Sequence, residues 1–127
     1  MPARVLVVDD DDGIRHLVGT VLKRADFETE EARHGGEAIN LLQSKPYDVI
    51  VLDLMMPVVS GFEVIDWIAD HAPETLKCVV VVSAAPRRDL KKLDGVAVFK
   101  VVPKPFDLND LLKTVEECSS GSSSEAC

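Results

Sequence analysis

With 127 residues, 46% of them hydrophobic and 28% charged, the chain has the size and balance of one globular domain and leaves no room for a second. No apolar run nears the ~18 residues of a membrane span, and the apolar stretch in MPARVLVVDD is too short for a secretory leader, so a cytoplasmic protein without membrane insertion is expected. A net charge of −8 opposes the phosphates of nucleic acid, whose binding draws on Lys and Arg, so no direct nucleic-acid contact is expected.

The first predicted element is a strand, VLVV (Val5 to Val8), which runs straight into four aspartates, Asp9 to Asp12. Like charges this close resist joint ionisation and call for a cation. Ile14, Leu17, Val18, Val21 and Leu22 then follow the spacing of one helix face. FETEEA (Phe27 to Ala32) alternates and is polar, which suits a strand at a sheet edge. Ala38, Ile39, Leu41 and Leu42 mark a short helix after Gly35 and Gly36, and VIVL (Val49 to Leu52) is a strand ending on Asp53. Phe62, Ile65 and Ala69, flanked by Val64 and Ile68, form the next helix. VVVV (Val79 to Val82) is a strand ending on Ser83, and a weaker helix follows Pro86. VAVF, extended to Val102, is the fifth strand, Lys104 lies in the loop after it, and Leu108, Leu111, Leu112 and Val115 form the last helix. Residues 119–127, SSGSSSEAC, have linker composition and no period, so a flexible tail is expected beyond a domain of residues 1–118. A link that once led to a further domain would look the same. Cys78, Cys118 and Cys127 have no metal-binding spacing and are expected to be reduced.

Short β-branched runs alternating with helical periods predict an α/β fold, a (βα)₅ doubly wound parallel sheet covered on both faces. The commonest five-strand arrangement is the flavodoxin-like order 2-1-3-4-5, which puts the polar second strand at an edge. All strands then point one way, and Asp9, Asp10, Asp53, Ser83 and Lys104 converge beyond their carboxyl ends, where ligands of open α/β sheets bind. Oxygen ligands without His or Cys select Mg²⁺ or Mn²⁺, and Mg²⁺ held by one or two carboxylates implies a phosphoryl ligand. Lys104 and Ser83 suit phosphoryl oxygens. Acids after strands are also common helix caps, which is the reading given to Asp11 and Asp12.

VLVVDDDDGIR, DVIVLDLMMPVVSG, VVVVSA and VPKPF resemble, in order and spacing, the receiver domain of two-component response regulators, over residues 4 to about 118. The stand-alone, single-domain type is the nearest match in form. That family has the 2-1-3-4-5 order, so the order is carried by the resemblance. The resemblance implies that Asp53 is the phosphoacceptor, that Asp10 binds Mg²⁺ directly, Asp9 through water and Met55 through its carbonyl, and that Ser83 and Lys104 complete the site. Pro57 and Gly61 fit the family's D-x₃-P-x₃-G loop, where Gly permits a backbone turn that other residues resist, and the Lys104–Pro105 bond is expected to be cis. A sensor histidine kinase or histidine phosphotransfer protein is the implied donor, and the surface of the fourth helix, fifth strand and fifth helix the implied output to a downstream protein. PRRDLKK makes that surface basic, though a solvated helix face reads the same. Where the family often carries an aromatic switch residue, three positions before the lysine, this chain has Val101.

The same residues admit two other readings. VLVVDxD also resembles the first strand of haloacid-dehalogenase-like Mg-dependent phosphohydrolases, but Gly13 departs from their pattern and the tail lacks their late acidic pair. A receiver fold that binds without being phosphorylated usually lacks a site residue, and none is lacking here. A phospho-accepting switch that modifies only itself, and is not a turnover enzyme, is therefore the expectation.

Overall fold

The chain folds as β1 (Arg4–Val8), α1 (Asp12–Arg24), β2 (Glu28–Ala32), α2 (Gly35–Ser44), β3 (Val49–Asp53), α3 (Gly61–His71), β4 (Val79–Ser83), α4 (Arg87–Leu90), β5 (Lys100–Pro103) and α5 (Leu108–Ser124). The computed structural model describes the backbone of residues 3–124 and the side chains of residues 3–120. The five strands are parallel in the order β2-β1-β3-β4-β5, as expected, with the acidic β2 at one edge.

Alternation along each central strand divides the core in two. Leu6, Val8, Ile50, Leu52, Val79 and Val81 face α2 and α3, where Ala38, Val64, Ile65 and Ile68 cover them. Val5, Val7, Val49, Val51, Val80 and Val82 face the other way, under Val18 and Leu22 of α1 and Leu111, Val115 and Cys118 of α5. With apolar partners on both faces, the positions from Val5 to Val8, Val49 to Leu52 and Val79 to Val82 are all filled by β-branched or leucine side chains, which is why the runs read as continuous rather than alternating.

Four boundaries or faces differ from expectation. The buried face of α1 is Arg15, Val18, Gly19 and Leu22, so the stripe is rotated and Leu17 stands 52% exposed. In α3 the inward residues are Val64, Ile65 and Ile68, and Ala69 is exposed. β5 starts only at Lys100: β4 begins at Val79, whose carbonyl accepts from Phe99 N–H, so Val96 to Val98 have no strand to pair with. The last helix does not stop at residue 118 but continues through Ser124, and the expected tail is helical over residues 119–124. Extending a helix already anchored by Val115 and Cys118 needs no new nucleus, and serine is only about 0.5 kcal/mol worse than alanine there. The remainder of the expected tail, residues 125–127, lies outside the described residues.

The helix after Pro86 is as weak as expected: four residues of α4 pass into a 3₁₀ turn, Lys91–Leu93, and Leu93 is the one buried side chain of the segment. Among the described residues no helix is long and apolar enough to cross a membrane.

The loop from β3 to α3 holds Val58 at φ +66°, a left-handed conformation that β-branched residues avoid, with its side chain 95% exposed. Such a residue costs about 1–3 kcal/mol, while glycine there gives up only about 0.4–1 kcal/mol of unfolded-chain entropy. Val58→Gly should therefore raise stability by about 1 kcal/mol in denaturant unfolding. An unchanged or lower midpoint would show that the loop is not strained.

Candidate functional site

Register puts the site together. Val8 pairs with Leu52, Asp53 with Val82 and Ser83 with Pro103, so Asp9, Asp53, Ser83 and Lys104 emerge at about one level along the carboxyl edge of the sheet. Asp9, Asp53 and Ser83 are buried, Lys104 is partly so, and Asp10 is exposed at the mouth.

Local hydrogen bonds aim each group. The Asp9 carboxylate accepts from Asp11 N–H at 2.9 Å, and the Asp53 carboxylate accepts from Met55 N–H at 3.3 Å. Lys104 Nζ lies 3.2 Å from Asp9 Oδ2 and 3.6 Å from Asp53 Oδ2, bridging the two acids. Its own N–H donates to the Ser83 carbonyl at 2.8 Å, tying the ends of β4 and β5, and the Lys104–Pro105 bond is cis. Ser83 Oγ accepts from Ala85 N–H at 2.9 Å, which links it to the loop leading into α4.

Burial and the facing Asp9 push the Asp53 carboxyl up to about 6, against a partial offset from Lys104. Burial pulls the Lys104 ammonium down, but Asp53 and Asp9 more than offset it, so the group is held above its ordinary value and stays charged. A buried carboxylate pair sharing one lysine is short of positive charge. The donor set fits a hard cation: carboxylate oxygens of Asp9, Asp10 and Asp53 all lie within 4.8 Å of one another, with no nitrogen or sulfur ligand among them.

The other two aspartates of the run do what caps do. Asp11 precedes α1 and accepts from Ile14 N–H at 3.0 Å, and Asp12 in the first turn pairs with Arg15, which holds its carboxyl below the usual range. With Asp11 committed to capping, the D-x-D needed for the phosphohydrolase reading is not presented to the cleft. Val101 is partly buried against the core cluster that holds Val79 and Val81, and Phe99, ahead of the strand, is 39% exposed.

Sequence reasoning missed Arg15, whose guanidinium is buried behind Asp9. The signal was there: Arg15, Val18 and Leu22 have helical spacing, but a charged residue does not count towards an apolar stripe.

A sequence model of the family described as "Response regulator receiver domain" matches residues 5–116. Response regulator MprA of Mycolicibacterium vanbaalenii is 35% identical over 112 residues, 88% of this chain and 48% of that protein. The chain thus spans about half the length of this relative. Among solved structures, Vibrio cholerae chemotaxis protein CheY4 superposes with a TM-score of 0.83 at 30% identity, covering 93% of this chain and 99% of that one. A CheY-like response regulator receiver domain protein from Methanospirillum hungatei reaches 0.90 at 21% identity, over 98% and 99%, a likeness of fold. These matches lend the phosphohydrolase reading no support.

Proposed function

Because the chain belongs to the response regulator receiver domain family, a family of phospho-accepting signalling switches, we propose that Asp53 is its phosphoacceptor and that Asp9, Asp10, Asp53 and the Met55 carbonyl hold a Mg²⁺ or Mn²⁺ ion beside it. The observation that carries the reading is the Asp53 carboxylate, buried between Asp9 and Lys104 at the centre of the strand-end row.

In the proposed reaction Asp53 attacks the phosphorus of a phosphohistidine on a sensor histidine kinase or histidine phosphotransfer protein. The P–N bond breaks, the imidazole leaves, and an acyl phosphate forms on the aspartate. Such transfer needs in-line placement and neutralised phosphoryl oxygens more than covalent help from the protein. A divalent ion held by Asp9, Asp10 and Asp53 would supply part of that neutralisation. Lys104 supplies more as a fixed ammonium, and Ser83 O–H donates to a remaining oxygen. An apolar groove between Ile14, Leu17, Pro105 and Phe106 opens beside Lys104 and gives the donor protein a surface to rest on.

Output follows from the same hydroxyl. Ser83 moving towards the phosphoryl group draws on Ala85, whose N–H it holds, and so displaces the loop before α4. The surface of α4, β5 and α5, with Arg87, Arg88, Lys91 and Lys92 exposed, is then read by a downstream protein in the cytoplasm, with no nucleic acid bound by this domain. The packed but non-aromatic Val101 leaves the loop as the carrier of the change. The domain modifies itself and turns over no external substrate.

Incubation with a small phosphodonor and Mg²⁺ should add the mass of one phosphoryl group, and a chelator should prevent it. Uptake that survives chelation, or release of phosphate from an ester with no phosphorylated protein at any time, would overturn the proposal.

A further inference from the structure

Outside the strand-end row, one buried charged side chain takes no part in the reaction above. Arg15 is 5% exposed and points from α1 towards the back of the acidic loop. Its Nη1 donates to the Asp9 backbone carbonyl at 2.9 Å, Nε donates to Glu31 Oε1 at 3.0 Å, and Nη2 donates to Asp12 Oδ1. Burial pulls the guanidinium down, and Asp12 and Glu31 more than compensate, so it remains charged.

The carbonyl that Arg15 holds belongs to the peptide between Asp9 and Asp10. Asp9 N–H donates to the Ala32 carbonyl at 3.2 Å, and the Asp9 carboxylate is held by Asp11 N–H and by Lys104. The plane of the next peptide sets the direction in which exposed Asp10 leaves the strand, and among the described residues the side chain that holds it is the planar fork of Arg15, steadied by Glu31 on β2 and Asp12 on α1.

We propose that Arg15 is a positioning residue for the divalent-cation site, fixing the Asp9–Asp10 peptide so that both carboxylates meet one ion. This rests on the reading that Asp9, Asp10 and Asp53 bind that ion. A simple counter-charge role for Arg15 would act in the opposite direction: removing a cation beside an acidic site draws Mg²⁺ in more tightly. Removing an outer-shell support weakens binding, typically by about 10–100-fold.

The test is a Mg²⁺ titration of the unphosphorylated chain, followed by the amide shifts of Asp10, Asp11 and Met55, for the parent, Arg15→Gln and Arg15→Lys. Thermal unfolding in chelator checks that each variant is folded. Both variants should bind Mg²⁺ about tenfold more weakly than the parent, because glutamine and lysine lack the fork. Lysine keeps the charge and the helix, so the lysine variant decides the matter if the glutamine one fails to fold. A lysine variant within about twofold of the parent, or a glutamine variant that binds more tightly, overturns the inference. A parent that binds no Mg²⁺ instead overturns the assignment of the metal ligands on which it rests.

Discussion

Asp53→Asn should abolish phosphoryl uptake and, without metal, leave the protein more stable at neutral pH than the parent. The amide keeps the shape of the carboxylate and can still accept from Met55 N–H, but it is too weak a nucleophile for phosphorus. Its stability effect has a defined sign. Folding raises the Asp53 carboxyl from its ordinary 3.8 to about 6, so the native state binds the proton more tightly than the unfolded chain. Stability from that proton is fully present below about pH 4 and is lost as pH rises through about 6, a loss of about 2–3 kcal/mol at pH 7.5. Asparagine carries no charge and escapes the loss. Denaturant curves in chelator should show the variant about 2 kcal/mol more stable at pH 7.5 and level with the parent near pH 4. Mg²⁺ should then narrow the gap by stabilising the parent more. A variant no more stable than the parent at pH 7.5 would show that the row tolerates the Asp53 charge.

Gly61→Ala should both destabilise the fold and slow phosphorylation. Gly61 N–H donates to the Leu54 carbonyl at 2.9 Å, which brings the start of α3 against the end of β3. A Cβ on Gly61 would lie 2.3 Å from the Asp53 carbonyl oxygen and 2.6 Å from Leu54 Cα, and backbone atoms at the core cannot turn away as a flexible side chain would. Over-packing of this kind costs about 1–3 kcal/mol, with a fall of roughly 10 °C in the unfolding midpoint. The displaced carbonyl belongs to Asp53, the proposed acceptor, and a misplacement of about 1 Å can cost about 100-fold in rate. Normal rate and midpoint in the variant would mean that α3 can move off β3 freely.

The parallel order and the site row were legible because both depend on side chains with few alternatives. Only β-branched and leucine residues fill the buried runs of strands covered on both faces, and Asp9, Asp53 and Ser83 end or follow such strands, while Lys104 follows the edge strand β5. What stayed hidden depends on contacts between elements. Gly61 sits in a recognisable motif, but it is required by close approach to β3 and not, as expected, by backbone freedom: its φ is not positive. The start of β5 is set by where β4 begins, and the face of α1 by Glu31, which gives a buried arginine its partner. The extension of α5 past residue 118 escaped a reading by composition, since a serine-rich segment has no apolar period of its own yet can continue a helix already formed.

Asp9, Asp53, Ser83 and Lys104 reach their common level from four strands widely spaced along the chain, and this shapes how the sheet can assemble. Pairing of β1 with β3 is enough to bring two carboxylates face to face, whereas their lysine arrives only when β5 docks on β4. A partial sheet lacking β5 therefore carries repulsion that the complete one relieves in part. Such frustration in incomplete forms pushes folding towards all-or-none behaviour. During synthesis the proposed acceptor would face Asp9 without its lysine until the fifth strand had emerged and docked, so readiness to take up a phosphoryl group would come only with a nearly complete sheet.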